Sequence, residues 1–465
     1  MANVKTEMGF IVEIVINAGQ LSRYGRLKIC VLGAIIGFMV AAPALASLSL
    51  ERAIAMAQQH DPWLVGSEHR ERALEAQSIS AGSLPDPMVS AGFANLPTDS
   101  FDFNQEAMTQ FKLGLSQVFP RGDSRGLQQK QLRLMGGEQP YHRDDRRAQV
   151  TVRVSHLWLD AYRARESIRL IEKDRGLFEH LVDVAQSNYS TALAGTSQQD
   201  LVRAQLELTL LEDRLTVLHE QLEVSRSMLT EWLLSSDGVM MEVKSETLPD
   251  QLPKIVLTNP GLFQKGTEIS PQDMADFLQR HPAILRVDQK IAASRTGIEL
   301  AEQKYQPQWR VNASYGYRDD DPMGNDRSDF FSMGVAFDLP LFTSKRQDQQ
   351  VQSAAAESES VRTERALILR RMIAEFDSQR SRLHRLEQRR ELYRTRLLEE
   401  IHEQAEASLT AYTNDDGDFA EVVRARIAEL NARVDALNID VDRLKIIAQL
   451  NYFFATASVS AGGKK

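Results

Sequence analysis

Apolar and polar side chains alternate along two segments that lie far apart in this 465-residue chain. Residues 111–120 have the sequence FKLGLSQVFP, and the related sequence FSMGVAFDLP ends the segment 330–340. The two copies carry Phe, Gly and Pro at matching positions: Phe111 with Phe331, Gly114 with Gly334, and Pro120 with Pro340. In each copy the larger apolar side chains occupy every second position, which is the period of a β-strand. Residues 111–120 and 330–340 are therefore predicted to be strands with one apolar face.

Each of these strands is preceded by a second alternating segment. Residues 88–95 and 309–317 repeat the pattern, and polar, turn-rich sequences connect each segment to the strand that follows it. About ten residues with one apolar face suit a strand that crosses an outer membrane at an angle, although a soluble β-sandwich uses the same pattern. In the membrane interpretation, seven side chains face lipid: Phe111, Leu113, Leu115, Phe331, Met333, Val335 and Phe337. Since four strands cannot close a membrane barrel, several chains must pool their strands.

Helical periodicity dominates the rest of the chain. Two long segments carry apolar residues at alternating spacings of three and four, while charged residues cover their other faces. The first series consists of Leu201, Ala204, Leu208, Leu211, Leu215, Leu218 and Leu222. The second consists of Val423, Ile427, Leu430, Val434, Leu437, Val441, Leu444 and Ala448. Heptad spacing of this kind is typical of coiled-coil packing.

The same order of elements occurs twice: a helix, two strands, a long helix, a turn and a long returning helix. The tandem repeat and the segments around it divide the chain into five predicted parts. These are a signal peptide at residues 1–46, a first repeat at 47–234, an irregular connecting segment at 235–270, a second repeat at 271–455 and a disordered tail at 456–465.

The apolar stretch near the start has the features of a secretory signal. Arg23, Arg26 and Lys28 precede it, and a small-residue sequence that ends at Ala46 follows it, which favours cleavage over a membrane anchor. Cleavage would remove Cys30, the only cysteine, and with it any disulfide or thiol chemistry. The net charge of −9 at pH 7 argues against nucleic acid as a partner.

The sequence contains no catalytic motif of the H-E-x-x-H, G-x-S-x-G or P-loop type. His402 and Glu406 lie one turn apart on a predicted helix, which offers only half of a metal site. We therefore predict that the protein is not an enzyme and that it has no cofactor and no bound metal.

In their order, these features resemble the TolC-like outer-membrane efflux protein family over nearly all of residues 48–455. The resemblance rests on the twofold repeat, the strand pairs and the sequence YSTALAGTSQQDLVRA, which begins at Tyr189. It implies a mostly α-helical fold with a small β part. Long coiled-coil helices would form a periplasmic α-barrel, continuous with an outer-membrane β-barrel of twelve strands, four from each chain of a trimer.

The resemblance also implies a function and partners. A homotrimer in the outer membrane, with a large periplasmic portion, would act as a passive conduit for substrates from a periplasmic adaptor (membrane fusion) protein and an inner-membrane pump of the resistance-nodulation-division type. Residues 84–87 and 119–124 are most similar to members that work with heavy-metal-exporting pumps, so heavy-metal cations are the expected substrate. The alternatives are drug efflux, protein secretion, a soluble periplasmic adaptor, or a coiled-coil stalk or adhesin with a strand anchor.

The resemblance places candidate sites at the far ends of the long helices. The candidate adaptor-docking residues are Tyr189, Gly195, Ser197, Asp200, Tyr412 and Gly417. The second turn departs from the family pattern, because acidic residues replace its usual Gly-x-x-Ser/Thr. The candidate gate residues are Asp415, Asp416 and Asp418. In a trimer these would form a ring of carboxylates that favours cations, although a solvated turn explains the same sequence.

Overall fold

The structure is a computed structural model that describes residues 47–190, 198–234, 248–263, 269–414 and 418–458. The predicted signal peptide and most of the predicted tail lie outside these residues. The predicted connecting segment is described over residues 248–263 and 269–270, where a short 3₁₀ helix forms at Pro260–Phe263.

The first repeat alternates short helices, two strands and two long helices. Its elements are α1 (Leu50–His60), α2 (Pro62–Gly82), β1 (Met88–Ala94), β2 (Gln110–Phe119), α3 (Ser124–Gly136), α4 (Glu138–Ser190) and α5 (Gln198–Leu233). Asp61 separates α1 from α2 because its carboxylate accepts a hydrogen bond from the Trp63 N–H at 3.0 Å. Pro62 suits the first turn of α2, where its missing N–H has no helical partner.

The second repeat follows the same plan with one interruption. Its elements are α6 (Pro271–Leu278), α7 (Pro282–Glu302), β3 (Trp309–Tyr317), β4 (Phe330–Phe337), α8 (Gln347–Leu392), α9 (Leu398–Thr413) and α10 (Phe419–Tyr452). His281 takes the place of Asp61, since its ring nitrogen accepts a hydrogen bond from the Ala283 N–H at 3.2 Å. A π-helical turn at Tyr393–Leu397 separates α8 from α9, within the stretch that the sequence predicts as one long helix.

The four strands form a single antiparallel sheet in the order β1-β2-β3-β4. The sequence predicts two strand pairs, and the structure joins them through β2 and β3, where Phe111 lies opposite Tyr317 and Phe119 opposite Trp309. Within the described residues, one edge of β1 and one edge of β4 have no strand partner. A small antiparallel sheet on a mostly helical chain confirms the predicted fold class at this level.

The long helices lie side by side. Helix α4 packs against α5 and α10, and α10 also packs against α8 and α9. The predicted heptad positions lie at these contacts, where both series contribute to one apolar cluster with α4. Its buried members from the two series are Ala204, Leu211, Leu215, Val423, Leu430 and Val434. Parts of both predicted series therefore lie where the returning helices pack against their neighbours.

Two other apolar clusters attach the shorter elements to the long helices. One surrounds Trp158 of α4, whose ring is fully buried, stacks on Tyr162 at 5.6 Å and donates a hydrogen bond to the Leu48 carbonyl at 2.8 Å. The other surrounds Phe376 of α8 and includes residues of α6 and the end of α10. These clusters attach α1 and α6 to the long helices.

Candidate membrane face and helix-end sites

The register of the sheet collects the apolar side chains on one face. Val89 lies opposite Leu115, Leu115 opposite Ala313, and Ala313 opposite Met333. Directly opposed residues of an antiparallel pair project from the same face. The seven residues predicted to face lipid therefore share one face, together with apolar residues of β1 and β3. The additional residues are Val89, Ala91, Phe93, Trp309, Val311, Ala313, Tyr315 and Tyr317.

This apolar sheet face is exposed in the single chain. Phe331 is 71% exposed, Met333 70% and Val335 56%. An extended apolar patch of this kind on a protein surface marks contact with a membrane or with another protein.

The opposite face of the sheet carries small and polar side chains. Ser116 donates a hydrogen bond to the Asn312 side chain at 2.7 Å. Gly114 allows close approach, because a Cβ at this position would lie 2.6 Å from the Ser90 hydroxyl oxygen. Lys112 lies on this face opposite Gly92. The two faces thus differ in the way that separates a lipid-facing surface from an aqueous one.

Aromatic rings cluster at both ends of the strands. Trp309 and Phe337 lie 4.6 Å apart at one end, and at the other end Phe93 contacts Phe111 at 5.4 Å. Aromatic girdles at the two lipid–water interfaces are a feature of membrane strands.

Beyond β4, the apolar surface extends into a turn that the strand pattern does not cover. Leu339, Leu341 and Phe342 are exposed there, Phe342 by 91%. Periodicity misses Leu341 and Phe342 because they follow Pro340, outside the strand. The apolar residues on both sides of this proline are the feature of the sequence from which this exposed surface could have been predicted.

Few of the residues predicted at the helix ends lie in the part of the chain that the structure describes. Gly195, Ser197, Asp415, Asp416 and Gly417 lie outside the described residues, as do the side chains of Tyr189 and Asp200. Tyr412 packs its ring against Phe419 at 5.6 Å, which joins α9 to α10. The Asp418 side chain caps α10 by accepting a hydrogen bond from the Ala420 N–H at 3.1 Å. The described part of the second turn therefore uses its aspartate in turn and cap chemistry.

A buried carboxylate lies near this end of the helices, and the sequence pattern did not single it out. Glu429 of α10 accepts hydrogen bonds from His402 at 2.8 Å and Arg426 at 2.9 Å, and it is also ion-paired with Arg433. Burial raises the pKa of Glu429, but the hydrogen bonds from His402 and Arg426 and the charges of Arg433 and Arg426 outweigh burial and hold it below its ordinary value.

The two residues considered as half of a metal site, His402 and Glu406, belong to the same cluster. His402 bonds to Glu429, and the Glu406 carboxylate accepts from Arg426 at 2.7 Å. Arg433 extends the cluster to Asp174 of α4 at 3.3 Å. No group of three or more metal-ligating side chains occurs in the part of the chain that the structure describes.

Across the described ranges, every helix is too short or too polar to span a membrane.

Comparison of the sequence with protein-family models finds no match, and comparison with curated proteins finds none either. Solved structures do match. VceC, an outer membrane protein of Vibrio cholerae, has a TM-score of 0.69 and 15% identity, with 88% of this chain and 97% of that chain covered. The CmeC outer membrane channel of Campylobacter jejuni has a TM-score of 0.70 and 14% identity, with 88% and 87% covered.

A third match is the open state of the MtrE outer membrane channel of Neisseria gonorrhoeae, with a TM-score of 0.65, 12% identity and coverage of 88% and 89%. At these identities the similarity shows the fold. This chain has the fold of outer-membrane channel proteins, as the sequence resemblance predicted.

Proposed function

We propose that this protein is the outer-membrane channel of a tripartite efflux system and acts as a passive conduit rather than an enzyme. The observation that carries the proposal is the four-stranded sheet, which has one exposed apolar face and one small, polar face. Such a sheet is not stable in lipid with open edges, because unpaired backbone groups cost several kcal/mol each there. Three chains would pair β1 of one with β4 of the next, closing a twelve-stranded barrel.

The long helices support the same assembly. Helices α5 and α8 flank the pair formed by α4 and α10. The sequence pattern predicts charged residues on the other faces of α5, but besides its packed heptad series α5 carries a second row of exposed apolar side chains. These are Val202, Leu206, Leu210, Val217, Val224 and Met228. An apolar row of this kind on a charged helix fits packing against a further helix. In the proposed trimer that helix is α8 of the neighbouring chain.

The contacts that α5 and α8 each make with α10 show which of their residues lie at the same height along the helices. Arg214 of α5 donates to Asn431 of α10 at 2.6 Å, and Arg390 of α8 donates to Asp440 of α10 at 2.5 Å. Asp440 lies nine residues after Asn431, and Glu223 lies nine residues after Arg214. Since α5 and α10 both return from the helix ends, Glu223 is level with Arg390 along the long helices.

Glu220 and Glu223 are exposed on α5 and form what we call the acidic edge. Arg394 and Arg396 are exposed in the π-helical turn that follows α8 and form a basic edge at the same height along the helices. Each chain carries both edges, so their contact is heterologous, and such contacts close into a ring when the rotation allows it. The ring would continue the strand barrel as a hollow helical barrel.

The location and partners belong to the same proposal. The strands would lie in the outer membrane, and the helices would extend through the periplasm to an adaptor protein and an inner-membrane pump of the resistance-nodulation-division type. The helix-end turns that contain Gly195 and Gly417 would receive the adaptor. Asp415, Asp416 and Asp418 would surround the periplasmic entrance, and heavy-metal cations are the substrate that the resemblance favours. Drug efflux and protein secretion use the same kind of conduit.

Planar-bilayer conductance tests the proposal directly. The purified mature chain is expected to be a trimer by native mass spectrometry and to insert as a conducting pore. A coiled-coil stalk or adhesin with a strand anchor predicts a solid axis and hence no conductance. A stable trimer that inserts into bilayers without conducting would overturn the conduit and favour the stalk.

A further inference from the structure

A groove of about 680 Å³ lies on the helical part of the molecule, between α8, α10 and α4. Helix α10 turns Val441 and Leu444 toward the Trp158 cluster and Ile447 toward the Phe376 cluster. Its remaining face, with Lys445 and Ile446, lines the groove. The groove therefore borders the Phe376 cluster, against which Ile446 also packs.

Three arginines of α8 form one wall of this groove. Arg382, Arg385 and Arg389 are spaced by three and four residues, so they lie on one face of the helix. Arg385 donates to the Gln388 side chain at 2.9 Å, and Arg389 lies 5.9 Å from the centre of the Tyr393 ring. No carboxylate pairs with any of the three within the described residues. Like charges at this spacing repel each other, and a bound anion would relieve that repulsion.

The charges on the other walls do not neutralise these arginines. Asp442, the carboxylate that lines the groove, pairs with Arg163 at 3.2 Å. Lys445 adds a positive charge and is paired with Asp160, outside the lining. Burial lowers the pKa of His156, and the charges of Lys445 and Arg153 act in the same direction. The groove consequently has an excess of positive charge.

The groove also has an apolar part. Leu386 of α8 and Ile446 of α10 lie among the lining residues. Guanidinium groups bind carboxylate, sulfate and phosphate oxygens through paired N–H donors. Apolar side chains beside such groups favour a ligand that also has an apolar body. A metal cation, in contrast, would be repelled by the arginine wall.

We propose that this groove binds an anionic amphiphile, with its charged group on Arg382, Arg385 and Arg389 and its apolar body against Leu386 and Ile446. The binding does not depend on conduction, so it goes beyond the proposed channel function and can be tested apart from it. The ligand is a free anionic amphiphile, because Arg382 lies 35 residues along α8, about 50 Å from the sheet that the proposed function places in the membrane.

The test uses the full mature chain in nanodiscs of phosphatidylcholine, titrated with dodecanoate by calorimetry. Saturable binding of one dodecanoate per chain is expected, with much weaker binding of uncharged dodecanol. The variant Arg382→Gln/Arg385→Gln/Arg389→Gln is expected to bind about tenfold more weakly or worse, which corresponds to about 1.4 kcal/mol. The three side chains are exposed, so the fold should persist, and circular dichroism checks this.

A matched control removes the same charge elsewhere on the helices. Arg362→Gln/Arg371→Gln/Arg424→Gln changes three exposed arginines outside the groove and should leave dodecanoate affinity unchanged. Replacing the three groove arginines by lysine keeps the charge but loses the paired donors, so an intermediate affinity is expected.

A second arm tests the source of the ligand. Native mass spectrometry of protein from nanodiscs that contain phosphatidylglycerol should show no lipid that the groove variant loses, because the groove lies outside the bilayer. Lipid that is retained in the wild type and lost in the groove variant would overturn the assignment to a free amphiphile. Binding that is equal for dodecanol, equal in the glutamine variant, or reduced equally by the control variant would overturn the proposal, and so would no binding of dodecanoate. Conductance plays no part in these outcomes.

Discussion

The long outgoing helices of the two repeats, α4 and α8, differ in how much of their surface is buried. Helix α4 buries apolar side chains along most of its length, on several faces: Val150, Val154, Leu157, Trp158, Leu159, Ala161, Tyr162, Ala164, Ile168, Ile171, Phe178 and Leu181. Helix α8 buries far fewer: Val361, Met372, Phe376 and Leu383.

Their neighbours explain the difference. Helix α4 packs against α5, α10, α7 and α1, whereas α8 packs mainly against α7 and α10. The two repeats share one order of elements, yet α4 is a central helix with several neighbours and α8 is an edge helix with fewer. The edge helix keeps a charged surface, and that surface is where we place both the contact with the next chain and the basic groove.

The largest expected effect comes from removing the central packing of α4. Trp158→Ala should lower the free energy of unfolding by about 3–5 kcal/mol, because a fully buried ring and its hydrogen bond to Leu48 are lost. Leu392→Ala is the comparison on α8, where the side chain is 48% exposed, and should change it by less than about 0.5 kcal/mol. Urea unfolding of the detergent-solubilised single chain measures both. Similar losses for the two variants would contradict the division into central and edge helices.

In the sheet, in contrast, the same substitution at equivalent positions of the two repeats should have the same effect. Leu115 and Val335 occupy equivalent positions, 220 residues apart, and share the apolar face. An arginine at either position should cost about 2–4 kcal/mol per chain near the middle of the membrane. The yield of heat-modifiable oligomer folded into liposomes reports this loss.

The control for this prediction comes from the chain itself. Ser332 lies on the opposite face at the position that Lys112 occupies in the first repeat. Ser332→Lys should therefore fold with nearly the wild-type yield. If Ser332→Lys fails and Val335→Arg folds, the assignment of the two faces is inverted.

A smaller effect is expected from Glu429, the buried carboxylate of α10 that pairs with α9 and, through Arg433, connects to α4. Glu429→Gln removes one of the two carboxylates that pair with the largely buried Arg426 and should destabilise the chain by about 2–3 kcal/mol. This value is below that of a fully buried pair because Glu406 remains and because His402 and Arg433 are partly exposed. Glu400→Gln, at an exposed pair with Arg396, should have almost no effect. Chemical unfolding at neutral pH measures both variants.

The same carboxylate predicts a pH dependence. The pKa of Glu429 is lower in the folded chain than its ordinary value, so its contribution to stability is complete above the unfolded pKa of about 4.3. The contribution is lost as the pH falls through the folded value. Stability measured from pH 7 to pH 3 should therefore decline less steeply in Glu429→Gln than in the wild type. If the stability of the wild type and of Glu429→Gln declined equally steeply with falling pH, Glu429 would not be held ionised by its neighbours.

The smallest effect concerns the proposed contact between edges. Glu220→Arg/Glu223→Arg should leave the single chain as stable as before but weaken the trimer, by about 0.2–1 kcal/mol for each lost pair. Adding Arg394→Glu/Arg396→Glu to the same chain should restore the trimer, because each chain carries both edges. Analytical ultracentrifugation at low salt, where screening is weakest, measures this change. Failure of the restored combination would place the acidic edge against some other surface.

Local patterns in the sequence determined much of this molecule. The alternation at 111–120 and 330–340 indicates strands because a strand presents every second side chain to one face. The two heptad series predict helices that pack along one seam. Each of these signals depends only on residues close together in the chain, so it can be recognised without knowing what packs against it.

Only the tertiary structure decided what depends on distant residues. It joined β2 to β3 across about two hundred residues, and it paired the buried Glu429 with His402 from another helix. It also brought Lys445 and His156 to the arginine face of α8. The repeats predict α4 and α8 as equivalents, yet one became central and the other an edge. Local periodicity specifies which face of a helix is apolar, whereas the number of helices that cover it depends on the packing of the whole chain.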